Sequence, residues 1–150
     1  MSLTILLDAG PLGMITNPKS SPECEACKNW LASVASNGAD VIIPEIADYE
    51  VRRELLRAGK DRGIGRLDAL RGLLRYAPIT TPVMLKAAEF WASARNMGRQ
   101  SAVDTSLDAD MILAAQATIL GADSDEAVIA TTNVRHLALF ALARVWREID

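Results

Sequence analysis

Histidine occurs once in the 150 residues, at position 136, and cysteine only at 24 and 27. A structural zinc site closes on four Cys or His side chains, so these three cannot complete one within the chain. The Cys24-x-x-Cys27 spacing is that of a redox pair. It lies in a stretch with helical periodicity, however, and the plainer expectation is two small apolar or half-exposed residues. Aromatic residues make up 5% of the chain, and Trp30, Trp91 and Trp146 are too scattered to read as a base-stacking platform. No apolar run approaches the roughly 18 residues of a membrane helix. The first residues lack a basic flank and meet Asp8 early, which makes a poor secretion signal. A cytoplasmic protein without a membrane partner is expected. Nine glycines and six prolines are too few for collagen-like or low-complexity classes, and no internal repeat is found.

What the chain does have is apolar mass. Half of its residues are hydrophobic, which excludes disorder. A chain of this length buries roughly 70% of its unfolded surface, enough for one core. A single domain over 1–150 is therefore expected.

The punctuation divides the chain into alternating elements. Thr4 to Leu7 reads as a strand buried on both faces, ended by Asp8, with Gly10, Pro11 and Gly13 breaking the backbone. Ser21-Pro22 opens a helix that Asn37-Gly38 closes, so the helix spans 22–36. Val41-Ile42-Ile43 is a second buried strand, followed at once by strong helix formers from Glu45 to Arg57. Ile64 to Arg75 is expected to be helical, Tyr76 to Thr80 a strand, and Thr81-Pro82 the start of a helix that Gly98 ends. Ser101 to Ser106 reads as polar linker, Leu107 to Leu120 as an Ala-rich helix, Ala127 to Ala130 as a strand, and Ala143 to Ile149 as an edge strand. Strands alternating with helices predict an α/β fold, a three-layer α/β/α sandwich around a mostly parallel sheet.

Ligands of open parallel sheets bind beyond the carboxyl ends of the strands. Acidic residues collect at those places. Asp8 ends the first strand, Glu50 and Glu54 lie on the helix after the second, and Asp110 is placed in the first turn of the Ala-rich helix with Asp104 and Asp108 before it. Asn133 follows the strand at 127–130, directly after Thr131 and Thr132. Crowded carboxylates raise one another's pKa, and a divalent cation removes that penalty. Oxygen ligands favour Mg²⁺ or Mn²⁺, which activate water and shield a phosphate. Each acid also has a plainer reading: Asp8 as a cap, Glu50 and Glu54 as partners of Arg53 and Arg57, Asp108 and Asp110 as dipole-favoured acids, Asn133 as a turn residue.

The charge of −3 is uneven. From Arg52 to Arg75, eight basic residues face three acids, a local +5 that leaves −8 elsewhere. Such a stretch suits phosphate binding, with Arg52, Arg53 and Arg57 nearest the acids. It equally suits an acidic protein tail or a solvated helix face. His136 is read as having no catalytic part, because metal-assisted attack needs no imidazole base.

Four stretches in register, Leu6-Leu7-Asp8, Ile43 to Val51, Asp108 to Ala117 and Ile129 to Leu137, resemble the PIN-domain family and within it the VapC-type toxins. The resemblance covers nearly the whole chain. It implies an α/β/α sandwich and a Mg²⁺-dependent endoribonuclease that leaves a 5′-phosphate and a 3′-hydroxyl. It also implies a homodimer held inactive by a small antitoxin. By position Asp8, Glu50 and Asp110 match the three family acids that hold the metal, and Asn133 matches the fourth site residue. Asp104, Asp108 and Glu54 fall outside the matching positions and are at most supporting, as are Thr131 and Thr132. Two departures stand out. Gly10 replaces the Ser, Thr or Asn common in relatives, and Asn133 carries no charge, so one firmly held metal is expected.

Two other readings compete. A phosphatase with Asp8 as nucleophile would want a second Asp at position 10. A non-catalytic binding module would use the acids only as caps and ion-pair partners.

Overall fold

The computed structural model describes residues 3–98, 104–121 and 127–150, with side chains from 107 onward in the second segment. The chain runs β1 (Thr4–Leu7), α1 (Ala9–Thr16), α2 (Pro22–Ser36), β2 (Asp40–Pro44), α3 (Glu45–Arg57), α4 (Asp61–Leu73), β3 (Arg75–Ala77), α5 (Thr81–Asn96), α6 (Asp104–Gly121), β4 (Ala127–Thr131) and β5 (Ala143–Val145). Single 3₁₀ turns follow at Leu137–Leu139 and Trp146–Glu148. The strands form one parallel sheet in the order β3-β2-β1-β4-β5.

Period-two alternation in the strands sorts the side chains into two cores. Ile5, Leu7, Val41, Ile43, Val128 and Ala130 face α1 to α4, meeting Leu12, Ile15, Ala47, Val51 and Leu67. Leu6, Ile42 and Ile129 face the other way, onto Leu113 and Ala117 of α6. Helix α5 packs outside α6. The three-layer sandwich expected from the sequence is therefore present. Helix α3 contributes to both cores, through Ile46 on one side and Ala47 and Val51 on the other. It therefore straddles the carboxyl edge of the sheet.

The helix boundaries read for α2 and α3 agree with the structure to the residue, and Gly38 adopts the positive φ of 92° expected of a helix stop. Other elements differ from the expected bounds. Gly10, Pro11 and Gly13 do not break the chain but lie inside α1. Pro11 sits in the first turn, where a missing N–H costs nothing, and Asp8 caps the helix. Helix α4 spans Asp61–Leu73 rather than 64–75, and β3 is shifted back to Arg75–Ala77. Helix α6 starts at Asp104, so 104–106 are helical and not linker; the rest of that expected linker lies outside the described residues. Asp110 therefore stands in the second turn, where the helix dipole no longer accounts for it. The last segment is a strand only over Ala143–Val145. It then turns inward so that buried Trp146 meets Trp30 edge-on at 5.8 Å and Trp30 Nε1 donates to the Ile149 carbonyl at 2.8 Å.

Both cysteines are buried free thiols; neither is half-exposed. Burial and the neighbouring Cys24 push the Cys27 thiol up to about 12, far from a reactive thiolate. Among the described residues no helix is long and apolar enough to cross a membrane.

Candidate active site at the carboxyl edge of the sheet

The strand order reverses direction between β1 and β4, and a sheet of this kind opens a crevice at that switch point. The first acid sits there. Asp8 N donates to the Ala130 carbonyl at 2.9 Å, continuing the β1–β4 ladder to the last possible residue. The Asp8 side chain then starts α1, with Oδ1 accepting from Ala9 N at 2.7 Å. Its other oxygen accepts from Thr131 Oγ1 at 2.7 Å, a bond between the ends of the two strands that flank the switch point. Thr131 is itself buried, and its hydroxyl also accepts from Asn133 N at 3.1 Å. Asp8 is thus held in one orientation from two sides.

Glu50 lies one turn beyond Ile46, on the face of α3 that bends over the sheet edge. Burial raises its carboxyl to about 7; the charges of Asp8 and Asp110 push the same way, and Arg53 pulls against them. Asp110 is raised mainly by burial and then by the charge of Asp8, while His136 and Arg135 lower it. Asp8 is raised by burial, against the hydrogen bonds of Thr131 and Ala9. Glu50 and Asp110 each feel the charge of Asp8 across the crevice, and Glu50 that of Asp110 as well. Together the three acids form one electrostatic unit built from β1, α3 and α6, although among the described residues no three His, Cys, Asp or Glu side chains are grouped so as to hold a metal ion. The donor set suits a hard divalent cation: three carboxylates with both cysteines buried elsewhere.

His136 enters this unit unexpectedly. Its Nδ1 stands 3.3 Å from Asp110 Oδ2, with the ring only 13% exposed. When Asp110 is ionised, its carboxylate accepts and the ring donates from Nδ1. The sequence signal is weak, a lone histidine a few residues beyond a strand.

The remaining candidates divide. Thr132 packs over Gly10 so closely that a Cβ there would lie 2.7 Å from the Thr132 methyl. Asn133 is exposed and closes a turn, its Oδ1 accepting from Arg135 N at 3.2 Å. Glu54 points away as an exposed partner of Arg57 at 2.9 Å. Asp108 is exposed on the α5–α6 side, beside Met84 and Trp91. The Asp104 side chain lies outside the described residues. Arg52 is committed to Asp48 and Asp68, both at 2.8 Å. Of the three arginines suggested for substrate, only Arg53 stands electrostatically next to the acids.

A family model of the PIN domain matches residues 5–139. The fold is similar to that of VapBC2 from Rickettsia felis, solved bound to a DNA fragment from the promoter. The TM-score there is 0.73 at 14% identity, over 94% of this chain and 97% of that one. VapBC-1 from nontypeable Haemophilus influenzae gives 0.69 at 14%, over 97% and 99%. A sarcin–ricin loop cleaving toxin of Mycobacterium tuberculosis, VapC20, gives 0.60 at 12%, over 92% and 96%. No curated protein matches at the level of sequence. The family match runs through every element that contributes to the acidic edge, from β1 to His136, and the chain therefore belongs to the PIN-domain family.

Proposed function

We propose that this protein is a Mg²⁺-dependent endoribonuclease, with Mn²⁺ an acceptable substitute, and that it acts as the toxin of a toxin–antitoxin pair. The observation that carries the reading is the approach of half-buried Glu50 and Asp110, from α3 and α6, to Asp8 at the switch point of a PIN-domain sheet, where the charge of Asp8 acts on both. Structural similarity to VapBC assemblies and to a toxin that cleaves the sarcin–ricin loop supports RNA as substrate and a small antitoxin as inhibitor. A homodimer is part of the proposal.

Asp8, Glu50 and Asp110 would hold the cation, which when bound supplies an activated water and shields the phosphate. The protein groups prepare the site for this. Thr131 fixes the orientation of Asp8, and His136 that of Asp110, as partners behind metal-binding carboxylates do. Arg53 offsets part of the negative field beside Glu50. Asn133 is proposed as the fourth site residue and Thr132 as its neighbour on the same loop, both within reach of solvent and substrate. Burial of the three acids in metal-free protein penalises their charged forms, so cation binding is linked to proton release.

The test is cleavage of single-stranded and structured RNA. Activity is expected with Mg²⁺, absent in EDTA and lost in Asp8→Ala and Asp110→Ala, with fragments carrying 5′-phosphate and 3′-hydroxyl ends. Variants that cleave like the parent protein would overturn the proposal.

A further inference from the structure

The local +5 between Arg52 and Arg75 is smaller in space than in sequence. Arg52 pairs with Asp48 and Asp68, Arg57 with Glu54, and Arg75 with Asp40. Two arginines of α3 and α4 behave differently. Arg53 lies over the ring of Tyr49 at 5.0 Å, and Arg71 over the ring of Tyr76 at 4.5 Å. Neither makes an ion pair among the described residues. These are the only two tyrosines in the chain. Both line one groove of about 500 Å³, with Asp48, Arg52, Arg71 and Ile79. Two acids stand on its wall: Asp48 is buried against Arg52, and Glu45 accepts from Ile79 N at 2.7 Å, so both already have partners. Tyr49 is 56% exposed, a large aromatic surface left open to solvent beside a cation.

The groove adjoins the acidic edge. Arg53, outside the groove lining itself, links the two: it lies over the ring of Tyr49 on the groove wall, and its charge acts on Glu50. We propose that this groove binds an unpaired nucleotide of the RNA substrate beside the bond to be cleaved, its base stacked on the Tyr49–Arg53 or Tyr76–Arg71 pair and its phosphate met by the guanidinium. The inference rests on the ribonuclease reading above. A ring with a guanidinium plane beside it is the surface on which single-stranded bases stack. The volume suits one nucleotide and its phosphate rather than a duplex, whose bases are already stacked on one another.

Binding of a fluorescein-labelled single-stranded RNA dodecamer to the full chain, followed by anisotropy in EDTA, reads the groove without cleavage. Tyr49→Ala is expected to weaken binding about five- to fifty-fold, the size of a lost base–aromatic stack. Tyr49→Phe should restore it, because stacking needs the ring and not the hydroxyl. Arg71→Gln should lower the slope of log affinity against log salt by about one phosphate contact. Trp91→Ala, an exposed ring on α5, should change nothing. If Tyr49→Ala and Arg71→Gln bind RNA like the parent, the groove proposal is wrong while the nuclease reading stands on its own Mg²⁺-dependent cleavage. RNA binding that depends on Tyr49 in a protein that never cleaves would uphold the groove and refute the nuclease reading instead. A ten-residue Asp/Glu peptide is titrated in parallel. Tyr49-dependent binding of the peptide alone would make the groove a protein-docking face and overturn the proposal.

Discussion

At the residue scale the site is a set of carboxylates kept at a disadvantage. Glu50 ordinarily titrates near 4.5 and here near 7. Between those values the folded protein holds a proton that the unfolded chain has already released. Folding stability contributed by this group is therefore greatest at low pH and falls as pH rises from about 4.5 to about 7. Glu50→Gln removes that loss. In EDTA the variant is expected to gain on the parent across this window and to melt a few degrees higher at pH 8, on a scale of roughly 2–4 °C per kcal/mol. Equal melting curves at pH 8 would mean that Glu50 is as well solvated folded as unfolded. Thr131 acts in the opposite sense, since its hydroxyl favours charged Asp8. Thr131→Val should therefore weaken Mn²⁺ binding and slow RNA cleavage by about 10- to 100-fold, and Thr131→Ser should recover most of both. Titration calorimetry and a cleavage time course check this.

At the element scale, α1 and the loop after β4 are fitted to each other. The absent side chain of Gly10 leaves the space that Thr132 fills. Two threonines at the β4 end approach the start of α1, Thr131 on Asp8 and Thr132 over Gly10. The two positions should be coupled. Gly10→Ala alone is expected to destabilise by about 1–3 kcal/mol through overpacking, or to push the loop aside. Adding Thr132→Gly should return part of that, with a coupling energy of about 0.5–3 kcal/mol by urea denaturation. Additive effects would show that the loop yields freely.

At the scale of the whole molecule, strand order explains why residues remote in sequence share one edge. Thr131 and Asp8 are 123 positions apart, yet β1 and β4 are adjacent and parallel. A cation held as proposed by Asp8, Glu50 and Asp110 would bond the two layers of helices across the sheet edge and stabilise only the folded chain. At about 100 times its dissociation constant, Mg²⁺ should add roughly 2.7 kcal/mol, a rise of about 5–10 °C in Tm. The shift should vanish in Asp8→Ala. A rise that survives this substitution would place the cation elsewhere.

The starts and stops of α2 and α3 and the strand alternation were legible in the residues themselves, because caps, prolines and side-chain periodicity act within a few positions. Ser21-Pro22 to Asn37-Gly38 is an instance: every group that begins or ends α2 lies inside it or beside it. Helix α1 was not legible, since its Gly and Pro are breakers by local preference and only the cap at Asp8 and burial under the sheet override them. Nor were the hydrogen bond from Thr131 to Asp8, the contact of His136 with Asp110 or the groove shared by Tyr49 and Tyr76. Each joins residues 26 or more positions apart, and their meeting depends on which strands pair and how α3 and α6 cross the sheet edge. Local chemistry chose the groups; the parallel strand order, set by long-range packing of both faces of the sheet, chose which of them would meet.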